Sequence, residues 1–275
     1  SELVDTLQRI IEVGAATLDD ASLEAVYVEL GTLYEKTLEQ PMDAVDAYRK
    51  ALEINAKNFG TLDALERIHV AQAQWEDAIE IKEKRVLALT EQQDQIDELL
   101  AVAKTWEENH GEADKGTSAY QRILELDPLH AYAFEKLEHL HREAARWEDL
   151  IGMYVTRVEA AQETHERVVL LRKAAGVYEK ELGDKNSAFD TLQVAWSEDF
   201  TDEETGREIE RVAGLTQRWN ELLTTANTAL GEVQDTELKI AICLRCAKWY
   251  GTELKHPEYA IPYYQQILGL DPTNL

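Results

Sequence analysis

Cysteine and proline are scarce in this sequence, with two and five in 275 residues. Two cysteines in a chain of this length do not make a disulfide framework. Five prolines and 13 glycines leave few breaks, and good helix formers dominate, which predicts a mostly helical chain. No apolar run approaches the roughly 20 residues that span a bilayer, so membrane insertion is not expected. The chain starts at Ser1 and carries no secretory leader, which makes a cytoplasmic setting the expectation. Positive charge is also short: 28 basic residues stand against 54 acidic ones, for a net charge of −26. A body that acidic repels phosphate backbones, which argues against nucleic acid as a partner.

What the chain does have is a repeat. From Tyr34, steps of 72 residues reach Trp106, Tyr178 and Tyr250; from Gly31 they reach Ala103, Ala175 and Ala247. Tyr48 leads likewise to Tyr120, Leu192 and Tyr264, and Trp75 leads to Trp147 and Trp219. No gap is needed to keep aromatic, small and aliphatic classes in register. Apolar residues recur at three and four within each segment, and Asp and Pro punctuate the breaks, so each 72-residue block reads as two helical hairpins.

The first hairpin carries Tyr27-x2-Leu30-Gly31-x2-Tyr34 and then Ala44-x3-Tyr48. This resembles the tetratricopeptide repeat, whose signature is W-x2-L-G-x2-Y followed by A-x3-F and P. The proline position holds Ala56, Pro128, Phe200 and Pro272. The second hairpins depart from the pattern: Glu66, Glu138 and Glu210 take the small-residue position, and His69, His141 and Ala213 the aromatic one. The resemblance implies an all-α, right-handed α-solenoid, a superhelix of helix-turn-helix hairpins in one domain over 1–275. The hairpins are expected at 24–58, 59–95, 96–130, 131–167, 168–202, 203–239 and 240–274, after a lone helix within 1–20. Stacked hairpins share a core that one hairpin cannot build. The small residue lets helices approach, and Tyr34, Trp106, Tyr178 and Tyr250 are expected to be equivalent and well buried. Neither end has a polar capping helix, so a longer array is expected.

Candidate chemistry is sparse. Cys243 and Cys246 form a CxxC, but both fall on core positions in register with Tyr27 and Leu30, which reads as structural thiols. His139 and His141 lack the i, i+4 spacing of two ligands on one helix face. Trp75, Trp147 and Trp219 keep the period and read as packing. The acidic pairs Glu107–Glu108, Asp202–Glu204 and Asp19–Asp20 form no calcium loop. No nucleophile elbow, phosphate loop or zinc signature occurs, so no enzyme activity, metal or cofactor is expected.

One pattern stands out. The resemblance implies that first helices line the concave face, with their second, fifth and ninth positions facing the groove. The ninth position reads Thr32, Arg67, Lys104, His139, Gly176, Arg211, Lys248; the fifth adds Arg172 and Arg207, and Arg245 and Lys173 lie beside them. An acidic protein thus gathers cations on one face. Two readings stay open. The cations bind an extended acidic segment or a terminal carboxylate by charge-assisted hydrogen bonds, with Tyr132, His139 and Leu244 beside them. Alternatively they neutralise groove acids such as Asp63, Asp97, Glu135 and Glu204. Arg207-x3-Arg211 resembles half of a carboxylate clamp found in some relatives, but Gly176, His139 and Thr32 stand where that clamp has asparagines, so its ligand is not assigned. The expected function is a protein-interaction scaffold; a spacer or oligomerisation segment, or a regulatory domain of a larger protein, are the alternatives.

Overall fold

The local rules of helix starts explain where each element begins. Asp19 accepts a hydrogen bond from Ser22 N at 2.7 Å, Asn58 from Thr61 N at 3.0 Å, and Asp235 from Leu238 N at 2.8 Å. Asp184 and Asp202 each cap two backbone amides. Each cap satisfies donors that the first helical turn leaves orphaned. The computed structural model describes residues 2–14, 17–110 and 113–273. Among these there are helices and turns and no strand.

In chain order the elements are α1 (Glu2–Gly14), α2 (Asp20–Lys36), α3 (Pro41–Ile54), α4 (Phe59–Ala71), α5 (Trp75–Ala88), α6 (Gln92–Thr105) and α7 (Ala113–Leu126). They continue as α8 (Ala131–Glu143), α9 (Trp147–Ala160), α10 (Thr164–Lys180), α11 (Lys185–Glu198), α12 (Glu203–Thr216), α13 (Trp219–Glu232), α14 (Thr236–Lys248) and α15 (Ile261–Leu270). First helices α2, α6, α10 and α14 begin at 20, 92, 164 and 236, steps of 72. The same step separates the starts of α4, α8 and α12, of α3, α7 and α11, and of α5, α9 and α13. A π-helical turn continues α6 over Trp106–His110 and α14 over Trp249–Glu253.

The turns repeat as well. Ala73, Ala145 and Gln217, 72 apart, all adopt positive φ (54°, 52° and 60°). At the other type of turn, Glu39 (53°), Gly183 (68°) and Lys255 (59°) share one position. The left-handed region costs an L-residue roughly 1–2 kcal/mol, and glycine avoids that cost at some loss of unfolded-state entropy. Glu39→Gly and Lys255→Gly are therefore expected to stabilise the protein by about 0.5 kcal/mol each, read as a raised urea midpoint at unchanged slope. A lowered midpoint would contradict the account.

The chain forms two compact units, residues 1–140 and 141–275, with the boundary inside α8. In the first, Val45, Tyr48 and Leu52 of α3 pack on Leu62, Leu65 and Ile68 of α4. Val4 and Leu7 of α1 pack with Leu30 and Ala47. Gly31 is needed for the close approach of α2 and α3: a Cβ there would lie 2.7 Å from the Tyr48 ring. In the second unit, Phe189, Leu192 and Trp196 of α11 meet Ile209, Val212 and Ala213 of α12, and Trp219 and Trp249 complete the cluster.

One expectation is corrected here. Tyr34, Trp106, Tyr178 and Tyr250 are equivalent in burial, but all four are half-buried. The position one residue earlier is buried at Thr105, Val177 and Trp249 and half-buried at Leu33. Tyrosine keeps its hydroxyl near a polar partner, as Tyr34 does by accepting from Gln8 Nε2 at 3.1 Å.

Candidate protein-interaction face

The departures of the second hairpins have a physical reason. Glu66, at the small-residue position, receives Lys82 Nζ at 2.6 Å and Arg85 Nη2 at 2.6 Å. Arg85 also holds Glu98 at 2.8 Å and Asp63 at 2.9 Å. Burial alone would raise the Glu66 carboxyl, but the Lys82 and Arg85 hydrogen bonds outweigh it and hold the group below the usual range. Glu210 behaves alike: burial pushes it up, and Lys248 at 2.9 Å with Arg245 at 2.7 Å pull it down further. His69 and His141 are buried, and His69 Nδ1 pairs with Gln74 Oε1 at 2.8 Å.

Of the residues expected on the binding face, Arg67, Lys104, Tyr132 and His139 belong to the first unit. Arg67 donates to Glu35 Oε1 through Nε (3.0 Å) and Nη2 (2.7 Å), and the Tyr48 hydroxyl donates to Glu35 Oε2 at 2.9 Å. Lys104 lies 3.8 Å from Glu108, both exposed, a pair worth little in water. Tyr132 is half exposed, set edge-on to Tyr120 at 6.3 Å with the Lys136 ammonium 5.6 Å from its centroid. His139 is exposed on α8.

In the second unit, Arg172 reaches Asp202 (3.4 Å) and Glu204 (2.5 Å), while its Nε finds no hydrogen bond and has Glu208 at 3.8 Å. Arg211 holds Glu179 in a bidentate pair at 2.6 and 2.5 Å. The hydrogen bonds from Arg211 keep the Glu179 carboxyl below its ordinary range. Arg245 bridges Glu210 and Glu203. Its guanidinium lies over Gly206, where a Cβ would approach it to 2.7 Å. Arg207 differs: its Nε donates to the Glu203 carbonyl at 3.2 Å, no ion pair among the described residues holds it, and it is exposed. Leu244 is exposed beside Arg245.

Most groove cations thus have a carboxylate from another helix. Of the acids expected to neutralise them, Glu204 does so; Asp63 serves Arg85 and Asp97 accepts from Gln93. Glu35 and Glu179 accept from Arg67 and Arg211, and with Glu107 they stand 72 apart, a spacing that sequence reasoning did not use. Glu107 accepts from Lys136 Nζ at 3.1 Å and from the Tyr120 hydroxyl at 2.8 Å. Lys136 was missed because it lies three residues before the ninth position of its helix.

A cavity of about 560 Å³ opens in the second unit between Arg142 at the end of α8, α10 and α12. It is lined by five cations (Arg142, Arg172, Lys173, Lys180 and Arg211) and three carboxylates (Glu179, Glu181 and Glu208), with Gly176 and Val169 beside them. Nothing stands within 4 Å of where a Gly176 side chain would begin. Cys243 and Cys246 are buried in α14, and burial pushes both thiols up, Cys246 to about 12, so neither is a thiolate at neutral pH. Among the described residues, no cluster of His, Cys, Asp and Glu could hold a metal ion, and no helix is long and apolar enough to cross a membrane.

An all-α succession of hairpins with this register is the architecture of a tetratricopeptide array. Residues 25–58 and 61–96 each match a tetratricopeptide repeat family model. Those two stretches are thus tetratricopeptide repeats. Among solved structures it is similar to the C-terminal part of a TPR repeat-containing protein from Cytophaga hutchinsonii, at 12% identity over 90% of this chain and 96% of that one, with a TM-score of 0.35. It is also similar to pilF of Pseudomonas aeruginosa (16% identity, 93% and 95% covered, TM-score 0.30). A third is YrrB, described as a TPR protein with an unusual peptide-binding site (14% identity, 76% and 99% covered, TM-score 0.30). No curated protein matches the chain. The repeat supports a protein-interaction scaffold in general.

Proposed function

We propose that this chain is a non-catalytic scaffold that binds an extended acidic segment of a partner protein on its first helices. The second-unit cavity carries the reading: five cations face three carboxylates there, in a chain whose net charge is −26. Arg207 is exposed, and among the described residues no carboxylate pairs with it. Arg211 would exchange its internal partner for a ligand carboxylate, and Arg245 and Lys248 would hold the next acidic residue. In the first unit Arg67, Lys104, Tyr132 and His139 offer a second, weaker stretch, and Leu244 adds an apolar contact in the second. Because most pairs are already made, ligand binding is largely an exchange, and only a few cations contribute. A charge-assisted hydrogen bond is worth roughly 1.5–3 kcal/mol where it is new.

The test is fluorescence anisotropy with a labelled 12-residue Asp/Glu peptide. Binding is expected at low salt, with affinity falling as salt rises. Arg207→Glu/Arg211→Glu should weaken it by about tenfold to a hundredfold, the equivalent of roughly one new charge-assisted bond. No binding by the unaltered chain, or equal binding by the variant, would remove the reading and favour a spacer.

A further inference from the structure

The second helices of two neighbouring hairpins in the first unit enclose a cavity of about 630 Å³, lined by α3, the turn after it and α5. Its apolar wall is Leu52 and Ala56 on one side and Leu87 and Ala88 on the other. Leu52 and Ala88 are exposed by only 8% and 6%, whereas Leu87 is exposed by 78% and forms the lip. The repeat explains why this space is open. Steps of 72 from Leu52 and Ala56 reach Leu124 and Pro128, then Trp196 and Phe200. Trp196 and Phe200 meet edge-on at 4.6 Å. The first block carries a leucine and an alanine where the third carries two wide rings, and the side-chain volume it lacks is left as cavity. Leu87 is likewise particular to this block, since the same steps give Glu159 and Gly231.

The polar rim says what fits. Arg49 pairs with Asp77 at 3.3 Å, Lys84 with Glu80 at 2.8 Å, and Glu53 with Lys50 at 2.8 Å. The remaining charge of the lining is Lys57, exposed in the turn after α3. Its backbone N–H donates to Asn55 Oδ1 at 3.1 Å, and among the described residues no carboxylate pairs with its ammonium. In a chain with 54 acidic residues against 28 basic ones, an ammonium left open beside an apolar cavity is a place for an outside anion. One open charge at one end of an apolar wall suits a ligand with a single anionic group and an apolar body. A polypeptide docked across the rim would have to displace pairs already made. The volume agrees, because small-molecule sites are concave, mostly apolar and about 300–1,000 Å³.

We propose that this cavity binds a small amphipathic monoanion, a medium-chain carboxylate, with its alkyl chain along Leu52, Ala56, Leu87 and Ala88 and its carboxylate on Lys57 Nζ. From Asp77 to Ala88 the wall formed by α5 runs about 16 Å at roughly 1.5 Å per residue, long enough for an extended chain of that kind. Apolar burial supplies most of the affinity, and the exposed Lys57 supplies the orientation. A ligand of about a dozen non-hydrogen atoms then binds with a Kd on the order of 100 µM. The cavity shares no residue with the proposed peptide face, so each proposal can fail without the other.

Isothermal titration calorimetry of the chain with decanoate tests it. One site per chain is expected, and decylammonium should bind about fivefold more weakly or worse, the worth of one exposed ion pair. Lys57→Glu should weaken decanoate binding by about the same factor. Ala56→Phe, which places at the wall the residue that the third block has there, should abolish it. Leu87→Glu should weaken it about tenfold by removing apolar area. Leu215→Glu, at an exposed leucine of the second unit, should leave it unchanged. All four positions are exposed, so each variant should keep the circular dichroism of the unaltered protein. No binding of decanoate, equal binding by Ala56→Phe, or a preference for decylammonium would overturn the proposal and leave the cavity to an apolar side chain of a partner polypeptide.

Discussion

Trp249→Ala is expected to cost the second unit about 4 kcal/mol, the upper part of the range for emptying a large aromatic site. The indole is fully buried, 5.8 Å from the ring of Trp196 and 6.2 Å from that of Trp219. Trp196 in turn meets Phe200 edge-on at 4.6 Å. These rings come from α11, the turn after it, α13 and the π-helical turn after α14, so the substitution removes a contact shared by three hairpins. Repeat arrays gain stability from such neighbour contacts, and losing one uncouples the hairpins that shared it. Urea unfolding followed by tryptophan fluorescence should show a lowered midpoint. A loss under about 1 kcal/mol would mean that the site collapses around the missing ring.

Arg85→Leu is the second large effect, in the first unit, and is expected to cost about 3 kcal/mol. Arg85 is largely enclosed and joins Glu66, Glu98 and Asp63, with Lys82 beside it. Removing it leaves two sheltered carboxylates with Lys82 as their remaining cation in this network. The cost is mostly that of stranding them, because breaking a buried pair is worse than never having made it. Arg85→Leu/Glu98→Leu should therefore recover part of the loss, with a coupling above about 1 kcal/mol in the double-mutant cycle. The pH dependence has a definite sign. The folded-state value of Glu66 lies below its ordinary one, so its contribution is complete above the ordinary value near 4.3 and is lost as pH falls through the folded value. The gap between the unaltered chain and Arg85→Leu should be constant from pH 7 to about 5 and narrow below that. A gap that stays constant into acid would show that Arg85 acts by packing alone.

The helix content and the register were legible because they rest on local information that recurs. The Asp and Asn caps, the Trp that opens α5, α9 and α13, and the apolar spacing at three and four each act within one or two turns. The glutamates at 66 and 210 were legible as departures from the repeat but not as members of ion networks. Lys82 and Arg85 are 16 and 19 residues from Glu66, and nothing in their own spacing marks them as its partners. The groove cations were legible as a set and their state was not. Arg67 and Glu35, like Arg211 and Glu179, are 32 residues apart, and whether they meet depends on how hairpins stack.

The sequence by itself determined that this is an all-α chain of helical hairpins with a 72-residue period, because spacing, capping and amphipathicity can be read along the chain. The tertiary structure alone decided which cations are spent on internal carboxylates. Among the described residues it also left Arg207 without one, and it set Tyr34, Trp106, Tyr178 and Tyr250 half outside the core. Each of these is a distance between helices, and a distance of that kind follows from the packing of whole hairpins, not from the order of residues along one of them.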